Sequence, residues 1–353
     1  MAVDVVVLQA LIDEKLKPFV KRIDEEALYA EDFLHALGKS GFFDSSQKNE
    51  QTTLLDELTI VQETAKVCMT TAFCLWCHLA ALTYIRKTKN AALRGKILPL
   101  LENGEVLGAT GLSNPMKFYA GLEKLHLSAK RVEGGYVLDG VLPAVSNLGN
   151  NHWFGAIAHN EEQEVMVFVN TDNANITLKE KTHFLGVNGS ATYTCKFENV
   201  FVADDYVVSH NASTFVDQIR PTFILYQVPL GFGVVEASVE GIEKVKAKQN
   251  GCNEYLQVQA DVLSVKLQSL QTHLALLVQS GEITLNAISK IRLQAVYETL
   301  EAVQANMLHN GSAGYIAGST PSRKLREAYF FANLTPTVRQ LEKMTKTLTC
   351  NSK

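Results

Sequence analysis

The hydrophobic period changes twice along this chain, and the order of those changes restricts the fold more than any single residue does. Up to about residue 105 the apolar positions keep a helical period. Leu8, Leu11, Leu16 and Val20 recur at helical steps, a second segment runs from Ala30 to Leu37 and stops at Gly38 and Gly41, and Leu54 to Ile85 is long enough for one or two buried helices. Lys96 to Leu101 closes this zone, and Asn103-Gly104 turns out of it. From about Leu107 to Ser209 the pattern becomes short runs rich in Val, Thr, Phe and Tyr. Leu125, Leu127 and Ala129 alternate with polar neighbours, Glu133-Gly134-Gly135 supplies a hairpin turn, and further strands are predicted at 153–158, 165–170, 176–180 and 192–197. From about Thr214 the helical period returns. Leu256, Leu263, Leu267, Leu270, Leu274 and Leu277 form one stripe, broken at Ser280-Gly281. Ile288, Ile291, Ala295, Val303 and Met307 form a second, and a last helix runs from about Pro321 toward Lys346. The prediction is an α+β, multi-domain chain: an N-terminal α-helical domain over 1–105, a middle β-barrel or sandwich domain over 106–212, and a C-terminal α-helical bundle over 213–353.

Composition narrows the function classes. With 46% hydrophobic residues, 20% charged residues and a net charge of −4, the chain has no basic footprint for a phosphate backbone, so no nucleic-acid partner is expected. The N-terminus lacks a basic leader and reads as the start of a helix. The apolar stretch from Ala72 to Thr83 contains His78 and is too short to span a bilayer. A cytoplasmic location and no membrane partner are expected. Six cysteines (Cys68, Cys74, Cys77, Cys195, Cys252, Cys350) are too irregular for a disulfide framework. Cys74-Leu75-Trp76-Cys77-His78 matches the pattern for covalent haem attachment, but it sits inside a helical run between apolar neighbours, where cysteine packs as a small hydrophobe. The nine histidines form no H-x-x-x-H pair, so no metal site is expected. Gly231-Phe232-Gly233 lacks the rest of a dinucleotide fingerprint. Glu236, Glu240 and Glu243, at helical spacing, read as a solvated face.

Local motifs coincide with the helix–strand–helix order. Leu98-Pro99-Leu100-Leu101-Glu102-Asn103-Gly104-Glu105 is followed by Gly108-Ala109-Thr110-Gly111-Leu112-Ser113-Asn114-Pro115. Then come Gly134-Gly135-Tyr136-Val137-Leu138-Asp139-Gly140, Val145-Ser146-Asn147 and Phe197-Glu198-Asn199-Val200-Phe201-Val202. Gly311-Ser312-Ala313-Gly314-Tyr315 and Arg323-Lys324-Leu325-Arg326-Glu327-Ala328 close the series. In that order and at those separations the chain resembles the acyl-CoA dehydrogenase family, whose members read "LP.L..GE", "GA.ALTEP", "GGYVLNG", "I-[ST]-N", "FEDVRVP", "GGxGY" and "ER.yRDA".

The resemblance implies an enzyme that binds FAD and an acyl-CoA thioester, with a carboxylate removing the α-proton while hydride leaves to flavin N5. It also implies a homodimer or homotetramer, because the "GGxGY" turn reaches the flavin of a neighbouring subunit, and an electron-accepting flavoprotein as partner. Carried over by position, Leu112 and Ser113 would contact the flavin ring and Ser146 would sit near N5. Gly311 would admit the dinucleotide, and Thr337 would lie close to it. Each also has a purely structural reading, as a turn cap or a helix terminator.

Other positions depart from the family pattern. Thr335 stands where the family's glutamate base is expected, and a threonine hydroxyl is no base at neutral pH. The alternative base position, within Arg220-Pro221-Thr222-Phe223-Ile224, carries no acid, and the nearest before it is Asp217. The "TEPGAGSD" loop has become Ser113-Asn114-Pro115-Met116-Lys117-Phe118, the ring-packing aromatic is Ala144, and the expected arginine and glutamine fall at Ala247 and Leu308. Three functions therefore compete: an acyl-CoA dehydrogenase with a displaced base, a flavin-dependent monooxygenase on the same fold using FAD or FMN, and a non-catalytic oligomeric relative with a degraded flavin site.

Overall fold

The computed structural model describes residues 3–161 and 163–350 of the chain. Six helices come first: α1 (Val5–Lys15), α2 (Val20–Glu25), α3 (Glu31–Lys39), α4 (Glu50–Val67), α5 (Met69–Lys87) and α6 (Ala91–Glu102). The run from Leu54 to Ile85 is two helices because Cys68 takes an extended conformation between them. From Met69 through Ile85 every residue of α5 is buried, so it is a central helix surrounded on all sides. Gly38 does not end its helix as predicted. It lies inside α3, where a Cβ would come within 2.4 Å of the Gly104 backbone, so its place is set by a close approach between two segments.

Eight strands join one mixed sheet in the order β6-β7-β3-β2-β4-β5-β8, with β1 parallel to β4. They are β1 (Gly108–Thr110), β2 (Leu127–Val132), β3 (Gly135–Val145), β4 (Trp153–His159), β5 (Glu164–Asn170), β6 (Ile176–Glu180), β7 (Tyr193–Ala203) and β8 (Val207–Ser209). The sheet encloses its own core: Leu138, Leu142, Phe154, Val167, Phe197 and Val200 pack in one cluster built from sheet residues. β4 and β5 are apolar on both faces. Phe154, Ala156, Val165, Val167 and Val169 point into that core, while Ile157, Met166 and Phe168 join the helical core on the other side. A short helix, α7 (Ser113–Phe118), occupies the segment that the motifs aligned with a family loop.

The tail begins with α8 (Ala212–Leu225) and α9 (Val228–Glu243), and continues with α10 (Ala260–Ser280) and α11 (Leu285–Asn310). Residues 212–243 are long and apolar enough to cross a membrane, but the run is mostly buried inside the protein and breaks between the two helices. The stripe of α10 is Leu263, Leu267, Leu270, Leu274 and Val278. Leu256, counted with it from sequence, lies ahead of the helix, and Leu277 is only partly buried. The single last helix predicted from Pro321 to Lys346 is two, α12 (Thr320–Asn333) and α13 (Val338–Cys350), separated at 334–337.

The motif residues of α12 clasp the α4–α5 junction. Arg323 donates to the Val67 carbonyl (3.0 Å), and Lys324 donates to that of Ala65 (2.8 Å). Both pair with Glu327, whose carboxylate also accepts from the Met69 N–H (3.2 Å). Glu236 and Glu240 are likewise not a free solvated face, because Lys66 of α4 pairs with both, at 2.6 and 2.7 Å.

Cys68, Cys74, Cys77 and Cys195 are free and buried, Cys252 is free and exposed, and the side chain of Cys350 lies outside the described residues. In the C-x-x-C-H run, the Cys74 thiol faces the Ser190 carbonyl (3.6 Å) and His78 Nδ1 accepts from the Gly108 N–H (2.9 Å). Burial pushes the thiol acidity of both cysteines down, raising their pKa, which leaves them unreactive core groups.

Candidate functional site

The positions singled out by motif fall in two places. β1 runs parallel to β4, and the Gly111 N–H donates to the Gly155 carbonyl (2.8 Å), which pins the turn leading into α7. Within that turn the Leu112 N–H reaches the Thr110 hydroxyl at 3.3 Å, a long bond, and the Thr110 hydroxyl is shared with Tyr84 (2.7 Å). Ser113 then opens α7 with its side chain exposed. Asn114 is buried behind it and ties α7 to the following loop, donating to the Lys124 carbonyl (2.9 Å) and accepting from the His126 N–H (2.9 Å).

Ser146 lies just past β3 and bridges to Thr110, so it adjoins the same turn. Its hydroxyl joins a row of three, contacting Thr192 at 2.7 Å, which in turn contacts Ser190 at 2.8 Å. The next residue, Asn147, is wholly buried at φ 63°, a region asparagine tolerates better than most residues. Its side chain accepts from the Tyr29 hydroxyl (2.7 Å) and donates to the Gly108 carbonyl (2.8 Å). Its own carbonyl meets His152 Nδ1 (2.9 Å), and His152 Nε2 meets Glu31 (3.0 Å). That histidine holds the Glu31 carboxyl below the usual carboxylate range. The segment carrying Ser146 is thus fixed to both the sheet and the N-terminal helices.

Thr335 sits in the break between α12 and α13. Its hydroxyl lies 3.3 Å from that of Ser113, although 222 residues separate the two in sequence. Its carbonyl accepts from Gln227 Nε2 (2.9 Å), and Gln227 Oε1 accepts from Arg292 Nε (3.1 Å). Leu112, Ser113, Ser146 and Thr335 therefore belong to one neighbourhood. Thr337 is two residues away and caps α13: its N–H donates to Gln340 Oε1 (2.6 Å), and the Gln340 N–H reaches back to its hydroxyl at 3.5 Å.

Gly311 is elsewhere. It ends α11 with φ 55° and ψ −137°, exposed, with nothing within 4 Å of where a Cβ would be. Nineteen residues of helix separate it from Arg292, about 28 Å at 1.5 Å per residue. Within one copy of the chain it does not reach the other positions.

Residues 7–105 match the family model described as the N-terminal domain of acyl-CoA dehydrogenase. The probable acyl-CoA dehydrogenase FadE25 of Mycobacterium tuberculosis is 22% identical over 346 residues, covering 91% of this chain and 88% of that protein. Over most of its length the chain is similar to acyl-CoA dehydrogenases. The structure of a glutaryl-coenzyme A dehydrogenase in complex with glutaryl-CoA matches with a TM-score of 0.89 at 15% identity, over 99% of this chain and 94% of that one. KijD3 in complex with FMN and dTDP-3-amino-2,3,6-trideoxy-4-keto-3-methyl-D-glucose matches with a TM-score of 0.79 at 16% identity, over 100% and 96%. At such identities the likeness is one of fold, and the acyl-CoA dehydrogenase fold accommodates both.

Two residues of the site were not found by motif, Gln227 and Arg292. Both are wholly buried. Arg292 donates to the Phe331 carbonyl (2.8 Å) and stacks 3.6 Å from the centre of the Phe331 ring. No acid pairs with it among the described residues, and one of its terminal nitrogens has no hydrogen-bond partner. Burial lowers its pKa from 12.5 to about 9. A signal was present in the sequence: an arginine four residues after Ile288 and three before Ala295 stands on the apolar face of α11.

Proposed function

We propose that the chain is a flavin-dependent oxidoreductase that seats the flavin ring against Leu112, Ser113 and Ser146 and works without a carboxylate base at position 335. The observation that carries this reading is the Ser113–Thr335 hydroxyl pair, 3.3 Å apart, at the place the motifs assign to the family's base. The donor set fits a flavin ring. The exposed Ser113 and the half-buried Ser146 adjoin the turn after β1, and the exposed Pro143 and Ala144 leave the border beside Ser146 open. A flavin bound there would supply a two-electron acceptor.

The chain's own groups do the rest. Gln227 and Arg292 fix the Thr335 backbone, and Ser113 and Thr335 present hydroxyls that can orient a substrate by donating or accepting hydrogen bonds. Neither hydroxyl can take an α-proton at neutral pH. The acids nearest in sequence to the two base positions and to α7 are engaged with cations: Asp217 pairs with Arg220 (2.7 Å), Glu342 with Lys346 (3.3 Å) and Glu123 with Lys117 (2.9 Å). This favours a reaction that does not begin by passing a carbon-bound proton to a protein carboxylate, as in a flavin monooxygenase, over acyl-CoA dehydrogenation. In the homodimer or homotetramer that the resemblance implies, Gly311 would serve the site of a neighbouring copy.

The test is spectroscopic. The purified protein is titrated with FAD and with FMN, the complex is offered acyl-CoAs of several chain lengths without oxygen, and a chemically reduced sample is then exposed to oxygen. The expected result is a bound flavin that acyl-CoAs do not bleach and that oxygen rapidly reoxidises. Bleaching by an acyl-CoA would establish the dehydrogenase with a displaced base. Failure of both flavins to bind would leave the non-catalytic relative.

A further inference from the structure

We propose that the Ser113–Thr335 hydroxyl pair receives a carboxylate of the substrate, with the buried Arg292 guanidinium as its counter-charge. This rests on the reading of that pair as a substrate contact and names the class of molecule, a small carboxylic acid bound as its anion.

The fold leaves one buried charge unmatched. Arg292 is wholly buried in α11. Its Nε donates to the Gln227 amide and one terminal nitrogen donates to the Phe331 carbonyl, both neutral groups, while the other terminal nitrogen has no hydrogen-bond partner. A pKa of about 9 keeps the group cationic at neutral pH. The acids on the adjoining helices are taken or turned away. Glu327, one turn before Phe331 on α12, is shared by Arg323 and Lys324. Glu298, six residues on along α11, lines an outer cleft with Lys266 and Lys290. Around α12, therefore, the buried Arg292, Arg323 and Lys324 meet one buried acid, Glu327. A buried cation without an opposite charge is unfavourable, and an anion brought near it lowers that cost.

Hydrogen bonds show where the anion can come closest from solvent. Arg292 is linked through Gln227 to the Thr335 carbonyl (3.1 and 2.9 Å), and the Thr335 hydroxyl lies 3.3 Å from that of Ser113. Three bonds of this length and the two groups they join span at most about 15 Å. Ser113 is exposed, so an ion can reach the pair from outside. Over about 10–15 Å at an effective dielectric of about 20, a unit charge changes the affinity for an anion by about tenfold.

The pair suits a carboxylate in particular. Two hydroxyls supply two donors, and a carboxylate offers two acceptor oxygens on one planar group. Its single charge matches the single cation. A phosphate monoester carries nearly two charges, more than Arg292 balances.

The test puts a carboxylate at the pair by substitution and by titration, using the full-length protein without flavin. Thr335→Glu is made in the wild type and in the Arg292→Gln background, and stability is read by chemical denaturation. The steric cost of the longer side chain is common to both backgrounds. Introducing the glutamate should lower the folding constant at least about fivefold more where Arg292 is absent. Equal losses in the two backgrounds would overturn the proposal.

A second measurement needs no change at Arg292. Sodium acetate, sodium chloride and acetamide are titrated into the wild type and Thr335→Glu while the melting temperature is followed. Acetate should stabilise the wild type with an apparent Kd at least about tenfold below that of chloride or acetamide, and lose this advantage in Thr335→Glu. Acetate acting no differently from chloride, or equally on both proteins, would overturn the carboxylate site and leave the flavin reading standing. An acetate response in a protein that binds no flavin would support the carboxylate site and overturn the flavin reading alone.

Discussion

Arg292 and Gln227 form a buried pair in which the guanidinium Nε donates to the amide oxygen at 3.1 Å, and the amide passes its own N–H to the Thr335 carbonyl at 2.9 Å. A cation with no acid beside it among the described residues is thereby made part of the device that fixes the break between α12 and α13. Gln227→Leu should strip Arg292 of an acceptor and Thr335 of its donor together. Leaving such groups unpaired costs about 2–4 kcal/mol of stability. Chemical denaturation measures the loss, and hydrogen exchange should show faster opening at 334–337 than elsewhere. Unchanged exchange there would mean that the break is held by packing alone.

His78 predicts how stability depends on pH. Burial in α5 lowers its pKa from 6.5 to about 3. Between those values the unfolded chain binds a proton that the folded chain does not, so stability falls as pH drops below 6.5 and the loss is complete near pH 3. The slope for one group is about 1.4 kcal/mol per pH unit. His78→Gln keeps an oxygen to accept the Gly108 N–H and removes the titration. Urea unfolding at pH 7 and at pH 5 should show the wild type losing about 2 kcal/mol more than the variant over that interval. Parallel losses would show that His78 is protonated in the folded protein.

Gly38→Ala should destabilise the chain even though the residue lies within a helix, where alanine is normally preferred. The new methyl would come within 2.4 Å of Gly104 Cα, and what stands in its way is backbone, with no flexible side chain to yield. The expected loss is about 1–3 kcal/mol, the range for overpacking a close contact. A variant as stable as the wild type would place the two segments farther apart.

The order of helices, sheet and helices was readable because each zone buries apolar residues at its own period, and β6 was predicted at 176–180 with its observed limits. Harder to read was anything fixed by contacts between distant segments. Gly38 looked like a helix stop because its tertiary neighbour, Gly104, leaves no trace in a local pattern. Pro336 is a local stop that a single helix from 321 to 346 would have to contain, and the Thr335 carbonyl beside it is held by Gln227, more than a hundred residues earlier. α7 stands where the motifs align a family loop, and its Asn114 is tied to residues 124 and 126, contacts that no local pattern reveals. In the candidate site the motifs located Leu112, Ser113, Ser146 and Thr335 individually. That Ser113 and Thr335 touch is a fact of the folded chain, as is the distance of Gly311 from both.

That contact gives the sharpest mutational contrast. Ser113 is exposed and Thr335 is buried, so the two hydroxyls should fail differently when removed. In Ser113→Ala the fold loses little, because water can reach the Thr335 hydroxyl once the serine is gone. If the Ser113 hydroxyl contacts the flavin ring, affinity should drop about fivefold, the equivalent of one hydrogen bond of about 1 kcal/mol. Thr335→Val keeps the shape of the side chain and the carbonyl bond to Gln227. It leaves a less polar surface against Ser113 and should change flavin affinity by less than about twofold, with a stability change of about 1 kcal/mol or less. Flavin titration and thermal unfolding of both variants separate the two roles. Should Ser113→Ala bind flavin as tightly as the wild type, that serine is only the first residue of α7, and the ring site has to be sought nearer Ser146.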